Sequence, residues 1–225
     1  INYEFVPRDI MNMNITRPQP SKAPLRVDDF SSYAQGCLLE ELPLHEIESS
    51  AQRIEDAEFS EIEIRKSVFQ NCTFQKCSFE KASFVDVTFQ SCDLSNSKFA
   101  GAYFERCRFV SCKCIGIDMI DTVVKQTTFE QSNCRYSNFD KTKMTDVLFD
   151  HTDFTEASMA EAKLKRFEAS GSRFIKNNFF KTMLATIDFT DNEFTMPIVS
   201  SPPAELKGVV INMFQAAYLL CIWGV

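Results

Sequence analysis

Phenylalanine returns along this chain at positions whose numbers end in 4 or 9. Seventeen of its 22 phenylalanines, from Phe59 to Phe194, fall in that class, where chance would place about four. Between Ile54 and Phe194 the class has 29 positions, all filled by Phe, Leu, Ile, Met, Val, Cys or Ala, and no insertion breaks the register. A period of five matches neither the turn of a helix nor the two-residue alternation of a strand, so neither an amphipathic bundle nor an ordinary sheet produces it. A coil that turns a corner every five residues does. Two residues before each large side chain stands a small one, as at Ser67, Cys72, Cys77, Ala82 and Cys92, and the remaining positions are mainly polar. The pattern predicts a solenoid with two inward side chains per unit and coils stacked about 4.8 Å apart. No proline occurs from Leu44 through Met196, so every amide of the stack is free to donate a hydrogen bond.

Units such as Cys72-Thr73-Phe74-Gln75-Lys76 and Cys77-Ser78-Phe79-Glu80-Lys81 resemble those of the pentapeptide-repeat family. The resemblance implies an all-β solenoid, a right-handed quadrilateral β-helix with four units, about 20 residues, per coil. On that geometry residues 44–196 form the β-helix, about seven coils in a rod roughly 35 Å tall. Residues 1–43 are then an N-terminal capping segment with a short helix around Phe30, Tyr33, Ala34, Cys37 and Leu38, and residues 197–225 a C-terminal cap with a short α-helix. One column of the rod reads Phe69, Phe89, Phe109, Phe129, Phe149, Ala169, Phe189. At its gap, Phe167 takes the neighbouring inward position that is elsewhere small, which predicts a large–small exchange that conserves core volume.

Composition narrows the chemistry. His45 precedes the repeats, His151 falls at a surface position, and carboxylate pairs such as Asp150 and Asp153 are spaced as the repeat spaces any outward residues. An enzyme is not expected, nor a cofactor. Seven of the nine cysteines take inward positions, and none has a nearby His or a Cys-x-x-Cys spacing, so they read as small core residues and not as metal ligands. Their odd number and the lack of a basic-then-apolar start predict reduced thiols and a cytoplasmic protein. No apolar run is long enough to span a membrane. A net charge of −7, from 31 acidic and 24 basic residues, argues against direct nucleic-acid binding.

Sorting residues by face of a square rod divides the charge unevenly. The four faces, centred on Ile54, Phe59, Ile64 and Phe69, carry 0, −3, +4 and −4. The acidic face includes Glu130, Asp150, Glu168, Asp188 and Asp191; the basic one includes Arg65, Lys66, Arg106, Lys125, Lys143, Lys163, Lys165 and Arg166. The bands are candidate partner surfaces, although solubility alone also scatters charge in this way.

Both ends of a solenoid expose core and need covering. Leu206 to Ile211 suggests a last extended segment, and Asn212 followed by Gln215 looks like a helix start. The helix that follows is apolar nearly all round. Its spacing puts Phe214, Ala217, Tyr218, Cys221 and Ile222 on one side, to cap the rod, and Met213, Ala216, Leu220 and Trp223 on the other, which then needs a second protein surface. This tail is similar to the carboxyl end of bacterial quinolone-resistance-type pentapeptide-repeat proteins, matching at Gln215-Ala216, Leu219, Leu220 and Gly224 and departing at Cys221-Ile222-Trp223. That resemblance implies a homodimer through Met213, Ala216, Leu219, Leu220 and Trp223. It further implies a rod that imitates duplex DNA and binds DNA gyrase or topoisomerase IV, protecting it from quinolones. The mixed charge and the absence of projecting loops depart from that pattern, and a scaffold binding an unrelated macromolecule is the alternative.

Overall fold

The computed structural model describes residues 15–223, with the side chains of Ile222 and Trp223 outside the described residues. The expectation of a cap for residues 1–14 likewise lies outside them.

The middle of the chain is a parallel β-solenoid in which each residue sits on the one 20 positions later. Phe69 pairs with Phe89, Phe109 with Phe129, and Phe149 with Ala169. Corners fall every five residues. From Glu41 to Thr186 every fifth residue has a positive φ, between 46° and 68°, and nearly all of these residues carry side chains. A left-handed conformation costs an L-residue roughly 1–2 kcal/mol. It persists here because each corner turns its amide onto the next coil: Lys66 N–H donates to the Val85 carbonyl at 2.9 Å, and Asp86 N–H to Glu105 at 3.0 Å. Gly is required at few corners. At Gly171, a Cβ would stand 2.9 Å from the His151 imidazole on the coil below.

The interior is a set of stacked rings. Phe69, Phe89, Phe109 and Phe129 lie nearly parallel, with centroids 5.3, 5.0 and 4.5 Å apart. Phe149 breaks the stack, meeting Phe129 edge-on at 78° and the Phe167 ring at 88° and 5.0 Å. Phe167 pairs with Val147 and is buried, so it supplies the ring that the Ala169 position lacks.

The small inward column does more than leave room. Cys92, Cys112, Ser132, Thr152 and Ser172 each donate to a carbonyl on the coil below, Ser132 to Phe109 at 3.2 Å and Ser172 to Phe149 at 3.1 Å. These side chains satisfy backbone groups inside the corners, which is why small donors recur there. Burial pushes the Cys107 thiol up to about 12, and Cys92, through its Cys112 neighbour and burial, also to about 12, so both stay protonated. Among the described residues no His, Cys, Asp and Glu side chains group as metal ligands. None of the described helices is long and apolar enough to cross a membrane.

The rod is longer than residues 44–196, at about nine turns, because both flanking segments add to the stack. Leu25–Arg26 pairs with Ile47–Glu48, and Ile198 and Val210 bridge to Asn178 and Asp188. Helix α1, Phe30–Leu39, starts at Asp29, whose carboxylate accepts from Ser32 N–H at 3.0 Å. It plugs the first coil with Phe30, which meets Phe59, Phe69 and Phe74 edge-on at 5.2 to 5.4 Å. At the other end, Ala204–Leu206 is a 3-10 turn, and of the extended segment expected from Leu206 to Ile211 only Val210 bridges, to Asp188. The turn is fixed by buried Glu205, which accepts from Lys181 N–H at 2.8 Å and from the Ser200 amide and hydroxyl at 3.1 and 2.8 Å.

Candidate interaction surfaces

The acidic residues lie on one side of the rod at successive levels. Glu130 and Asp150 are register neighbours, and Glu168 follows Leu148 in the adjacent column, with Asp188 beyond it. They are unequal in charge available to a partner. Arg108, from the same face, clamps Glu130 with bonds of 3.0 and 2.6 Å, and Thr128 adds another at 2.7 Å. Burial would raise the Glu130 pKa, but these hydrogen bonds hold it below the usual range. Asp150 meets His151 Nδ1 at 2.7 Å, and Asp191 accepts from Ser170 and Asn192. Glu168 has no cation within 4 Å among the described residues, and burial raises its pKa. The carboxylates left without a cation therefore gather at the C-terminal half, at Glu168, Asp188 and Asp191, of which burial makes Glu168 the least readily charged.

Half of the basic residues are neutralised from within. Arg65 pairs with Glu63, Lys66 with Glu46 at 3.6 Å, Arg106 with Asp86 at 2.8 and 2.9 Å, and Arg166 with Asp146. Several of these ion pairs join corner residues 20 apart, so they staple neighbouring coils. Lys125, Lys143, Lys163 and Lys165 have no carboxylate within 4 Å among the described residues, and all four are exposed. Lys143 and Lys163 sit directly above one another in register, and Lys125 and Lys165 flank Thr145 in the next column. Lys125 also lies over the Tyr103 ring, 5.2 Å from its centre. The sequence placed eight cations on this face; the fold concentrates the unpaired ones into four on three rungs.

Helix α2, Met213–Trp223, begins with reciprocal caps: Gln215 N–H donates to Asn212 Oδ1 at 3.0 Å, and Gln215 Oε1 accepts from Asn212 N–H at 2.8 Å. The Gln215 amide reaches further, donating to the Phe189 and Asn192 carbonyls at 2.9 and 2.7 Å. This anchor sets the rotation of the helix and corrects the expected sides. Leu219, one turn on, is only 4% exposed against the rod, so it does not face a second chain. Phe214, expected against the rod, is 80% exposed, and Ala217 and Cys221 are exposed with it. Met213 and Leu220 are exposed as expected, Ala216 is half-buried, and the Trp223 side chain lies outside the described residues. Hydrophobic spacing could not find this face, because the helix is apolar nearly all round and its one polar side chain is turned inward.

Residues 52–105 and 82–153 match the family model described as a pentapeptide repeat region. Among solved structures, the chain is similar to a trypsin-treated form of QnrB1, a plasmid-mediated fluoroquinolone resistance protein. That likeness has 21% identity and a TM-score of 0.50 and covers 80% of this chain and 88% of the other. A second trypsin-treated form of QnrB1 gives 18% identity and a TM-score of 0.48 over 90% and 98% of the chains. HetL, a pentapeptide repeat protein involved in heterocyst differentiation regulation from the cyanobacterium Nostoc, gives 13% and 0.30 over 74% and 90%. At 21% identity the first of these likenesses concerns the fold alone. No curated protein matches the chain.

Proposed function

Taking the chain as a member of the pentapeptide-repeat family, we propose that it is a non-enzymatic, homodimeric rod that binds a type II topoisomerase, DNA gyrase or topoisomerase IV, in the cytoplasm. The acidic face stands in for DNA, and the enzyme is thereby modulated or protected from quinolones. The observation that carries this reading is the run of Glu168, Asp188 and Asp191, carboxylates without a cation partner among the described residues, on one flat side of a stiff rod. DNA-binding clefts present clustered Lys and Arg, and a fixed row of carboxylates meets them without the deformation that real DNA requires. Dimerisation is supported by the outward face of α2, where Met213, Phe214 and Leu220 lie exposed beside one another on an end that is already capped. Doubling the rod lengthens the acidic track.

A gyrase supercoiling assay with a fluoroquinolone tests the reading. The wild-type protein is expected to shift the drug's inhibitory concentration, and Asp188→Lys with Asp191→Lys to lose that shift while keeping the melting temperature. No effect and no binding at about 10 μM protein would refute it, since that concentration detects even a weak complex of this kind. The four unpaired lysines favour a second reading, a scaffold for an anionic protein, because a pure DNA imitator has no use for a cationic face. In that case charge reversal at Lys143 and Lys163, and not at the acidic residues, removes the partner.

A further inference from the structure

The first described residues form an arm outside the rod. It descends the stack from Arg17 beside Glu130, through Gln19, whose amide donates to Asp86 at 3.3 Å, to Ser21, which meets Lys66 and Glu46 at 3.3 and 3.1 Å. Pro18, Pro20 and Pro24 keep it extended, and it joins the stack only at Leu25. Its upper end, Ile15 and Arg17, walls a pocket on the acidic face whose floor includes Thr128, Glu130, Leu148 and Asp150.

Leu148 is the informative residue. It lies between inward Val147 and Phe149 and so points outward, in register with Thr128 and Glu168. It is nevertheless only 8% exposed, and Thr128 only 6%. In the same column Val68 and Thr88 are half-buried and Asp188 is exposed. An apolar side chain has therefore been placed on the outside of the rod and buried, in a pocket whose charged lining is Glu130 and Asp150 with Arg108 beside them. The space remaining between arm and floor admits a side chain larger than Ile15.

We propose that this groove is a docking site for an extended protein segment carrying an apolar residue two positions before a cation, held in cis by Ile15-Thr16-Arg17 and taken by a segment of that chemistry on a partner protein when the arm lifts. The apolar residue packs toward Leu148, and the cation meets the net negative charge that Glu130 and Asp150 leave beside Arg108 in the pocket. The arm is weakly tied, its bonds to the rod being long and few, so displacing it leaves every coil intact. The site stands apart from the topoisomerase reading and is tested without that enzyme.

The test uses the full chain and a fluorescent peptide of residues 12–20 as probe. In the Ile15→Asp, Arg17→Glu variant the cis segment no longer fits, and the peptide is expected to bind at least about tenfold more tightly than to wild type, which loses affinity to its own arm. Adding Leu148→Asp, or separately Asp150→Asn, is expected to remove that binding, the second change leaving the apolar floor and the Arg108–Glu130 pair untouched. Circular dichroism confirms that each variant keeps its β-rod. Absence of peptide binding to the opened variant up to about 1 mM, equal binding to wild type, or binding that survives both groove substitutions overturns the proposal.

Discussion

Exchanging Phe167 and Ala169 isolates the packing rule of this rod. Phe167→Ala alone removes a buried ring whose centre lies 5.0 Å from Phe149 and leaves a cavity, a change that costs about 3–5 kcal/mol in a core. Ala169→Phe alone forces two rings into a space that one fills, at about 1–3 kcal/mol. Made together, the two substitutions conserve volume and return both columns to their usual order, ring over Phe149 and small side chain over Val147. The double variant is then expected to lose less than about 1.5 kcal/mol. The cycle therefore gives a coupling of at least about 2.5 kcal/mol, near the upper end for residues in contact. At about 2–4 °C per kcal/mol for a chain of this size, Phe167→Ala lowers the melting temperature by roughly 6–20 °C and the double variant by under about 6 °C. Thermal and urea unfolding followed by circular dichroism and by tyrosine fluorescence measure this, with coincident transitions as the check, since repeat arrays can lose cooperativity. Strict additivity of the two single changes would show that Phe167 does not supply the ring missing at Ala169.

Other outcomes follow from the ends and faces. Leu220→Asp is expected to give monomers in sedimentation velocity with an unchanged melting temperature, whereas Leu219→Asp lowers the melting temperature by undocking the helix from the rod. Glu205→Gln is expected to cost about 1–3 kcal/mol at pH 7, because three donors close on a buried carboxylate. Burial would raise the Glu205 pKa, but those hydrogen bonds hold it below the usual value. Its contribution is thus complete above about pH 4.3, the unfolded value, and fades as pH falls through the lower folded one, so the gap between variant and wild type closes in acid urea titrations. Lys163→Glu is expected to raise stability by about 0.2–1 kcal/mol, since it replaces a like-charge pair with Lys143 by an opposite one, and the gain should shrink in high salt.

Much of the architecture was legible because a single spacing governs it. Five-residue recurrence of Phe names the inward positions from Ile54 to Phe194, and Phe167 beside Ala169 announces its own exception. The surfaces were less legible. Cations could be assigned to a face by counting, but not their pairing: Arg106 and Arg166 are neutralised by Asp86 and Asp146 one coil below, while Lys143 and Lys163 stand in register with each other. Counting gave no sign that Leu148 is buried beside a pocket, because the arm residues that wall that pocket, Ile15 and Arg17, lie more than a hundred positions away along the chain.

What the amino-acid order alone determined is the period, and with it the corner interval, the two inward columns and the seven thiols that share them. These are local consequences of which side chains accept burial. The tertiary structure alone decided what happens where the period stops. The path of the arm, the two extra ends of the stack, and the rotation of α2 about Gln215 depend on carbonyls at Phe189 and Asn192 and on surfaces that exist only once the coils have stacked. A helix apolar on every side has no preferred face of its own, so the one polar group that must find partners sets the orientation.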